Sequence, residues 1–385
     1  MENLLFITDK VFFIIVAISV IYAFVFAFFS VLGKKKRYPH AKKQDKFLIL
    51  VPAYKEDRVI LQAVESILEQ EYPENKMDVV VISDRMENAT NHILSEMPVI
   101  LMEINPEQST KAYALNYAID NLPNNSYDVV VILDADNIVG TRYISEINDA
   151  FYSGDSALQT HRTAKNLDND MAILDAMSEE INNSIYRKGH VKIGLSSALI
   201  GSGMAFEYKW FCENVRKLTS AGEDKELEIL LLKEGIFIDF LDYVFVYDEK
   251  VKKDEVFYNQ RRRWLSAQFG SLYNGLKYVP KALLNLNLDY LDKIFQWILL
   301  PKIVLLGMIS IIIIVTTIIS IELSFKWWVL LLLLMTSFML ALPGFLITAK
   351  NIGVIKKLPL LFLLMLINLF RTKGADNKFI HTPKG

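Results

Sequence analysis

Cysteine is nearly absent. Cys212 stands alone in 385 residues, so neither an intramolecular disulfide framework nor a cysteine-rich metal site can form. Beside Trp210 and Phe211 it reads as a small buried hydrophobe. A charge excess is absent too. With 42 Lys and Arg against 44 Asp and Glu, the formal net charge is -2, which argues against nucleic acid as a partner. No G-x-G-x-x-G follows the first soluble aliphatic run, and no G-x-x-x-x-G-K-[ST] occurs anywhere. A glycine-rich cradle for a dinucleotide or ATP is therefore not indicated. Any phosphate must be handled by other means, most simply by a divalent metal held by carboxylates.

Apolar residues, by contrast, are plentiful at 52%, against 22% charged, and they are concentrated. Val11 to Leu32, Ile303 to Ile321 and Trp327 to Ala349 carry no charge. Each is long enough to cross a hydrocarbon core of about 30 Å at a rise of about 1.5 Å per residue. A secreted soluble protein is excluded. The first run is too long for a signal-peptide core and lysines follow it, so it is expected to be a retained anchor. Lys34, Lys35, Lys36, Arg37, Lys42, Lys43 and Lys46 mark the cytoplasmic side, which places the N-terminus outside.

The expected order is an extracytoplasmic segment 1–10, a transmembrane helix 11–32 and a cytosolic domain 33–270. Interfacial amphipathic helices follow at 271–298, then transmembrane helices at 299–321 and 327–349. The run at 354–371 contains Pro359 and has positive charge on both flanks, so an interfacial or re-entrant helix suits it better than a crossing. A cytosolic tail, 372–385, closes the chain.

Inside the cytosolic domain, strand and helix patterns alternate. Phe47 to Val51, Met77 to Ile82, Pro98 to Met102 and Asp128 to Leu133 read as strands of a parallel sheet with helices on both faces. Helical spacing runs from Glu56 to Gln70, and Ser109 and Thr110 are placed to cap a helix through Leu115. In such sheets ligands sit outside the carboxyl ends of the strands. Four ends carry polar residues: Tyr54 and Glu56, Asp84, Glu103, and Asp134 with Asp136. Asp134-Ala135-Asp136 offers two hard oxygen ligands, which suits Mg2+ or Mn2+. A second D-x-D, Asp168-Asn169-Asp170, follows no strand and reads as a helix start.

Further signals stand in a fixed order. Val51-Pro52-Ala53-Tyr54-Lys55-Glu56, Asp84, Lys111 to Asn116 and Asp134-Ala135-Asp136 are followed by Gly201-Ser202-Gly203, Gly222-Glu223-Asp224 and Gln260-Arg261-Arg262-Arg263-Trp264. Over about residues 45 to 270 this resembles the membrane-bound family 2 glycosyltransferases with a Q-x-x-R-W motif, among them cellulose, chitin, hyaluronan and poly-N-acetylglucosamine synthases. The tail Phe379 to Lys384 resembles the gating-loop pattern of cellulose synthases. The resemblance implies a GT-A-type (Rossmann-like) α/β fold with a mostly parallel sheet, plus transmembrane and interfacial helices.

The resemblance also implies a UDP-sugar donor, UDP-GlcNAc or UDP-Glc, with a glycan or lipid acceptor at the bilayer. Ala53, Tyr54, Glu56 and Asp84 match positions that hold uracil and ribose, and Lys111 matches a diphosphate or ribose contact. Asp136 matches the metal ligand, with Asp134 beside it on the metal and donor. Asp224 matches the general base. Arg263 would steady the departing diphosphate, Trp264 and Gln260 would contact the acceptor, and Gly201, Ser202 and Gly203 would let the sugars approach the backbone. Arg261 and Arg262 suit anionic lipid.

One base without a nucleophile points to inversion. Gly222 replaces the usual Thr before the Glu-Asp pair, and the stretch after Asp84 lacks the family's further Asp. Three crossings are few for a single-chain polymer channel, so pooled subunits, partner subunits, or a short or lipid-linked product are expected. The leading expectation is extension of a β-linked polysaccharide or oligosaccharide. The alternative is a glycolipid synthase adding one sugar to a membrane lipid.

Overall fold

The computed structural model describes residues 2–33, 36–123, 126–220, 222–251 and 254–370. The gating-loop resemblance at 379–384 lies outside them. One eight-stranded sheet organises the soluble domain. Its strands are β1 (Phe47–Tyr54), β2 (Met77–Asp84), β3 (Ile100–Ile104), β4 (Val129–Ile132), β5 (Ile138–Val139), β6 (Ala157–Ala164), β7 (Met204–Glu207) and β8 (Asp239–Asp248). Their spatial order is β3-β2-β1-β4-β7-β6-β8-β5.

The first four strands pair in parallel, as their unbroken aliphatic runs require of a sheet covered on both faces. Tyr54 stands opposite Asp84, and Leu50 opposite Ile132, so the carboxyl ends of β1, β2 and β4 line up along one edge. The third strand begins two residues later than the pattern suggested. β7 then runs antiparallel between β4 and β6, while β6 and β8 pair in parallel. Thr110 caps the helix Lys111–Asn121, its hydroxyl accepting from Tyr113 N–H at 3.1 Å. Asn169 caps Asp170–Asn182, so the second D-x-D is indeed a helix start.

The expected domain edge at residue 270 is corrected. One helix, Asp254–Leu276, runs straight through it. Its glycines do not break it: a Cβ on Gly275 would lie 2.6 Å from Ile294 Cδ1, so this glycine serves close approach of the helix Leu288–Ile298.

Four segments are long and apolar enough to cross a membrane: Ile7–Val31, Lys302–Ile319, Ile321–Ala341 and Lys350–Leu369. The first packs against the third. Asp9 pairs with Lys326 and accepts from Trp327 Nε1 at 3.0 Å, so the N-terminal end of the first segment lies beside the first turns of the third. Its other end meets the soluble domain, where Tyr22 and Phe26 contact His190. Backbone crowding enforces that meeting, since a Cβ on Gly189 would sit 2.2 Å from the Phe26 carbonyl oxygen.

The last segment touches the soluble domain at both ends. Lys357 lies 3.5 Å from Asp170, and Asn368 donates to the Tyr258 carbonyl at 3.1 Å.

Candidate active site

The site is built from the carboxyl ends of the strands. β4 ends in a turn that is held rigidly. Asp134 N–H is within hydrogen-bond distance of Asn137 Oδ1 (3.0 Å) and Ser202 Oγ (3.1 Å), and Ser202 and Asn137 bond to each other. Asp136 is fully buried, with its Oδ2 accepting from Glu249 N–H at 3.1 Å. Glu249 follows β8, so the far half of the sheet clamps the D-x-D turn.

That clamp also delivers a third carboxylate. One oxygen each from Asp134, Asp136 and Asp248 lies within 4.8 Å of the others. Three hard oxygen donors at this spacing fit Mg2+ or Mn2+, with coordination positions left for phosphate oxygens. Asp248 was not singled out in the sequence. A carboxylate closing a strand was its one signal, and Asp242 interrupts the apolar pattern of that strand.

Lys111 opens its helix across from this turn. Its ammonium lies 2.5 Å from Asp134 Oδ1, donates to the Gly201 carbonyl at 2.6 Å and is 3.8 Å from Glu223. Burial pushes the Glu223 carboxyl up to about 7, against the pull of the Lys111 charge. Asp224, next to it, accepts from Lys225 N–H at 2.8 Å, and the Lys225 ammonium is 3.5 Å from its other oxygen. Burial draws the Arg263 pKa down, and the charges of Glu223, Asp134 and Asp224 oppose that shift. Lys111, Asp134, Gly201, Glu223, Asp224 and Arg263 thus converge, with Asp136 and Asp248 beside them.

On the β1–β2 side, Ala53 is buried in its strand and Tyr54 and Glu56 are partly exposed. Asp84 is buried, its Oδ1 makes no hydrogen bond, and burial raises its pKa. A buried acceptor left unsatisfied is costly unless a ligand donor completes it. The backbone is strained at the same edge: Lys55 and Arg85, each just past a strand end, have φ of 55°.

Two expectations are corrected by geometry. Ser202 has no exposed surface and bonds beneath the Asp134 turn, so its hydroxyl braces the site and does not reach an acceptor. Arg261 does not face lipid: it pairs with Asp175 and packs its guanidinium 4.4 Å from the Trp264 ring and 4.8 Å from Phe257. Gly201 and Gly203 have φ of 82° and 65°, and a Cβ on Gly203 would lie 2.4 Å from Thr160 Oγ1, so that turn admits little but glycine. Gln260 Oε1 is buried without a hydrogen-bond partner.

Residues 44–267 match the sequence pattern of the family described as "Glycosyltransferase like family 2". Among curated proteins the chain is similar to the beta-monoglucosyldiacylglycerol synthase of Trichormus variabilis, 24% identical over 56% of this chain and 47% of that protein. It is also similar to the probable glycosyltransferase YdaM of Bacillus subtilis, 22% identical over 62% of this chain and 58% of that one. The chain thus spans about half the length of the curated relatives it matches. Among solved structures, the mannosyltransferase PcManGT of Pyrobaculum calidifontis, in complex with GDP-Man and Mn2+, superposes with a TM-score of 0.52 at 16% identity. That match covers 88% of this chain and 98% of the other, and it shows a shared fold.

Proposed function

The chain belongs to glycosyltransferase-like family 2, and on that premise we propose that it is a metal-dependent, inverting transferase moving a sugar from UDP-GlcNAc or UDP-Glc to a membrane-borne acceptor. The observation that carries this reading is the convergence of Asp134, Asp136 and Asp248 with the Glu223-Asp224 pair and Arg263 at one sheet edge. Asp84, with Ala53, Tyr54 and Glu56, holds the uridine: the unsatisfied Asp84 oxygen takes a uracil N–H or a ribose hydroxyl. Asp134, Asp136 and Asp248 hold Mg2+ or Mn2+, which supplies charge neutralisation for the diphosphate.

Asp224 removes the proton of the attacking hydroxyl, and Lys225 orients that carboxylate. As the sugar–phosphate bond breaks, Arg263 and Lys111 meet the charge that develops on the leaving diphosphate. Trp264 offers a flat apolar face to the acceptor, and Gln260 an open polar contact beside it.

Two acceptors are consistent with this chemistry. The similarity to proteins named as monoglucosyldiacylglycerol synthases favours a single transfer to a lipid. The Gln260 to Trp264 motif favours a growing β-linked glycan.

In the proposed topology the N-terminus is outside, three segments cross the inner membrane and the transferase domain is cytoplasmic. The Asp9–Lys326 contact supports it by setting the N-terminal end of the first segment beside the start of the third, away from the soluble domain. The last segment stays at the cytoplasmic interface, as its contacts with the soluble domain at both ends suggest.

The decisive experiment incubates detergent-solubilised protein and Mn2+ with separate UDP-sugars and resolves products by size and by lipid extraction. UDP release with one lipid-extractable glycoside supports the lipid reading, and a ladder supports the polymer. No UDP from any UDP-sugar would sink the transferase reading.

A further inference from the structure

Buried charge on the membrane side of the domain is almost wholly paired. Arg261 pairs with Asp175, Arg162 with Glu179 at 2.7 Å and Lys250 with Asp248 at 2.9 Å. Lys225 lies 3.5 Å from Asp224, and Lys293 lies 2.7 Å from Glu228. Each of these carboxylates therefore already has its own cation. Arg262, half-buried, Arg187 and Lys302 remain over, and among the described residues no carboxylate lies within ion-pair distance of them; Arg187 and Lys302 share one neighbourhood.

Both sit against the same π-helical turn, Asn183–Gly189. Arg187 is 4% exposed, and its guanidinium meets only neutral acceptors, Asn183 Oδ1 at 2.8 Å and the Ala198 carbonyl at 3.1 Å. Lys302 bonds to Asn182 Oδ1, one residue before the turn, and stands 4.7 Å over the Tyr186 ring. A single turn of backbone thus brings the two charges together with nothing negative between them. Proteins rarely bury an unpaired cation, because desolvation is not recovered by neutral partners. Burial pulls the Arg187 pKa down to about 10, although Glu179, Glu228 and Asp224 oppose it from a distance.

The place of this pair in the molecule limits what the missing anion is. Lys302 is the first residue of a candidate span. One turn beyond Tyr186, His190 stacks on Phe26 at 3.6 Å and lies 2.7 Å from the Tyr22 hydroxyl, both on the first span. The cations therefore lie where two candidate spans meet the domain.

We propose that Arg187 and Lys302, backed by Arg261, form an anion site that takes the phosphate ester of a membrane lipid. A phosphate has oxygens enough for the remaining guanidinium N–H donors and the ammonium at once, and its charge supplies what the surrounding carboxylates do not. This binding does not rest on the transferase reading. A failed UDP-release assay would leave the phosphate effect below unchanged.

The test uses the full chain in dodecyl maltoside, which carries no phosphate, with unfolding followed by tryptophan fluorescence. Dioctanoyl phosphatidic acid is expected to raise Tm by about 2–4 °C, by preferential binding to the folded state. Dioctanoylglycerol, with the same chains and no phosphate, is expected to leave Tm unchanged. Inorganic phosphate separates the sources: an equal rise assigns the site to free phosphate, and a rise with the lipid alone assigns it to a headgroup.

Lys302→Met and Arg187→Met are expected to abolish the rise. Should Arg187→Met fail to fold, Lys302→Met, at a half-buried position, decides alone. Without ligand, Lys302→Met is expected to melt no lower than the parent, because it removes an unpaired charge. A rise of parental size in Lys302→Met, or no rise with either phosphate probe, overturns the proposal.

Discussion

The two halves of the sheet carry charge in opposite ways. In β3-β2-β1-β4 the strands are aliphatic and the polar groups wait at their ends, some of them unsatisfied, as at Asp84. In β7-β6-β8-β5 charge lies along the strands and is largely paired inside the protein, although the buried Asp239 Oδ1 also makes no hydrogen bond. Arg162 in β6 meets Glu179, and His161 sits 2.9 Å from Glu180. The first half is arranged to gain partners from a ligand, and the second braces the membrane side with partners of its own. Removing a group from the first should therefore cost function, and from the second, stability.

The sharpest break of that contrast is at Asp224. Asp224→Asn is expected to lower kcat by about 10²- to 10⁴-fold, the range of general-base loss, while Tm stays within about 1 °C of the parent. Donor titration and melting on the same preparation check both halves of that statement. Next comes Lys293→Met in the bracing region. It strands the fully buried Glu228 carboxylate with Lys225 alone and is expected to cost about 3–5 kcal/mol, read by denaturant unfolding. A loss of kcat without a loss of stability would reverse the assignment.

Asp248 tests where the halves meet, since it belongs to β8 by position and to the strand-end site by contact. Asp248→Asn is expected to weaken Mn2+ binding by about 10- to 100-fold in calorimetry. An unchanged affinity with a lowered Tm would place this residue wholly among the bracing pairs.

The smallest effect concerns Glu223. Its folded pKa, about 7, lies above the ordinary 4.5, so the folded state holds an extra proton between those values. This contribution to stability is full below about pH 4.5 and is lost as pH rises through 7. Glu223→Gln is expected to flatten the fall in Tm across that window.

The legible part of the fold was the part written locally. Phe47–Tyr54, Met77–Asp84 and Val129–Ile132 announce themselves because a strand buried on both faces must be apolar at every position. Asp134 and Asp136 could be picked out because they follow such a run, whereas Lys111 and Asp224 were legible only through the resemblance in motif order. β6 was not legible. Its sequence, ALQTHRTA, is polar, and it is buried only because Glu179 and Glu180 from the helix Asp170–Asn182 satisfy it. No local pattern encodes that exchange. Ser202 was misplaced for a related reason: a serine between glycines looks exposed until the Asp134 turn closes over it.

The sequence by itself determined the apolar runs long enough to cross a membrane, the parallel half of the sheet and the family, because hydrophobic run length, strand burial and motif order are all properties of neighbouring residues. Only the tertiary structure decided that Asp248 joins Asp134 and Asp136, that Arg261 is spent on Asp175, and that Arg187 and Lys302 have no carboxylate within ion-pair distance among the described residues. Electrostatic pairing depends on distance in space and on exclusion of water. Neither is set until β8, the π-helical turn and the spans have packed against one another.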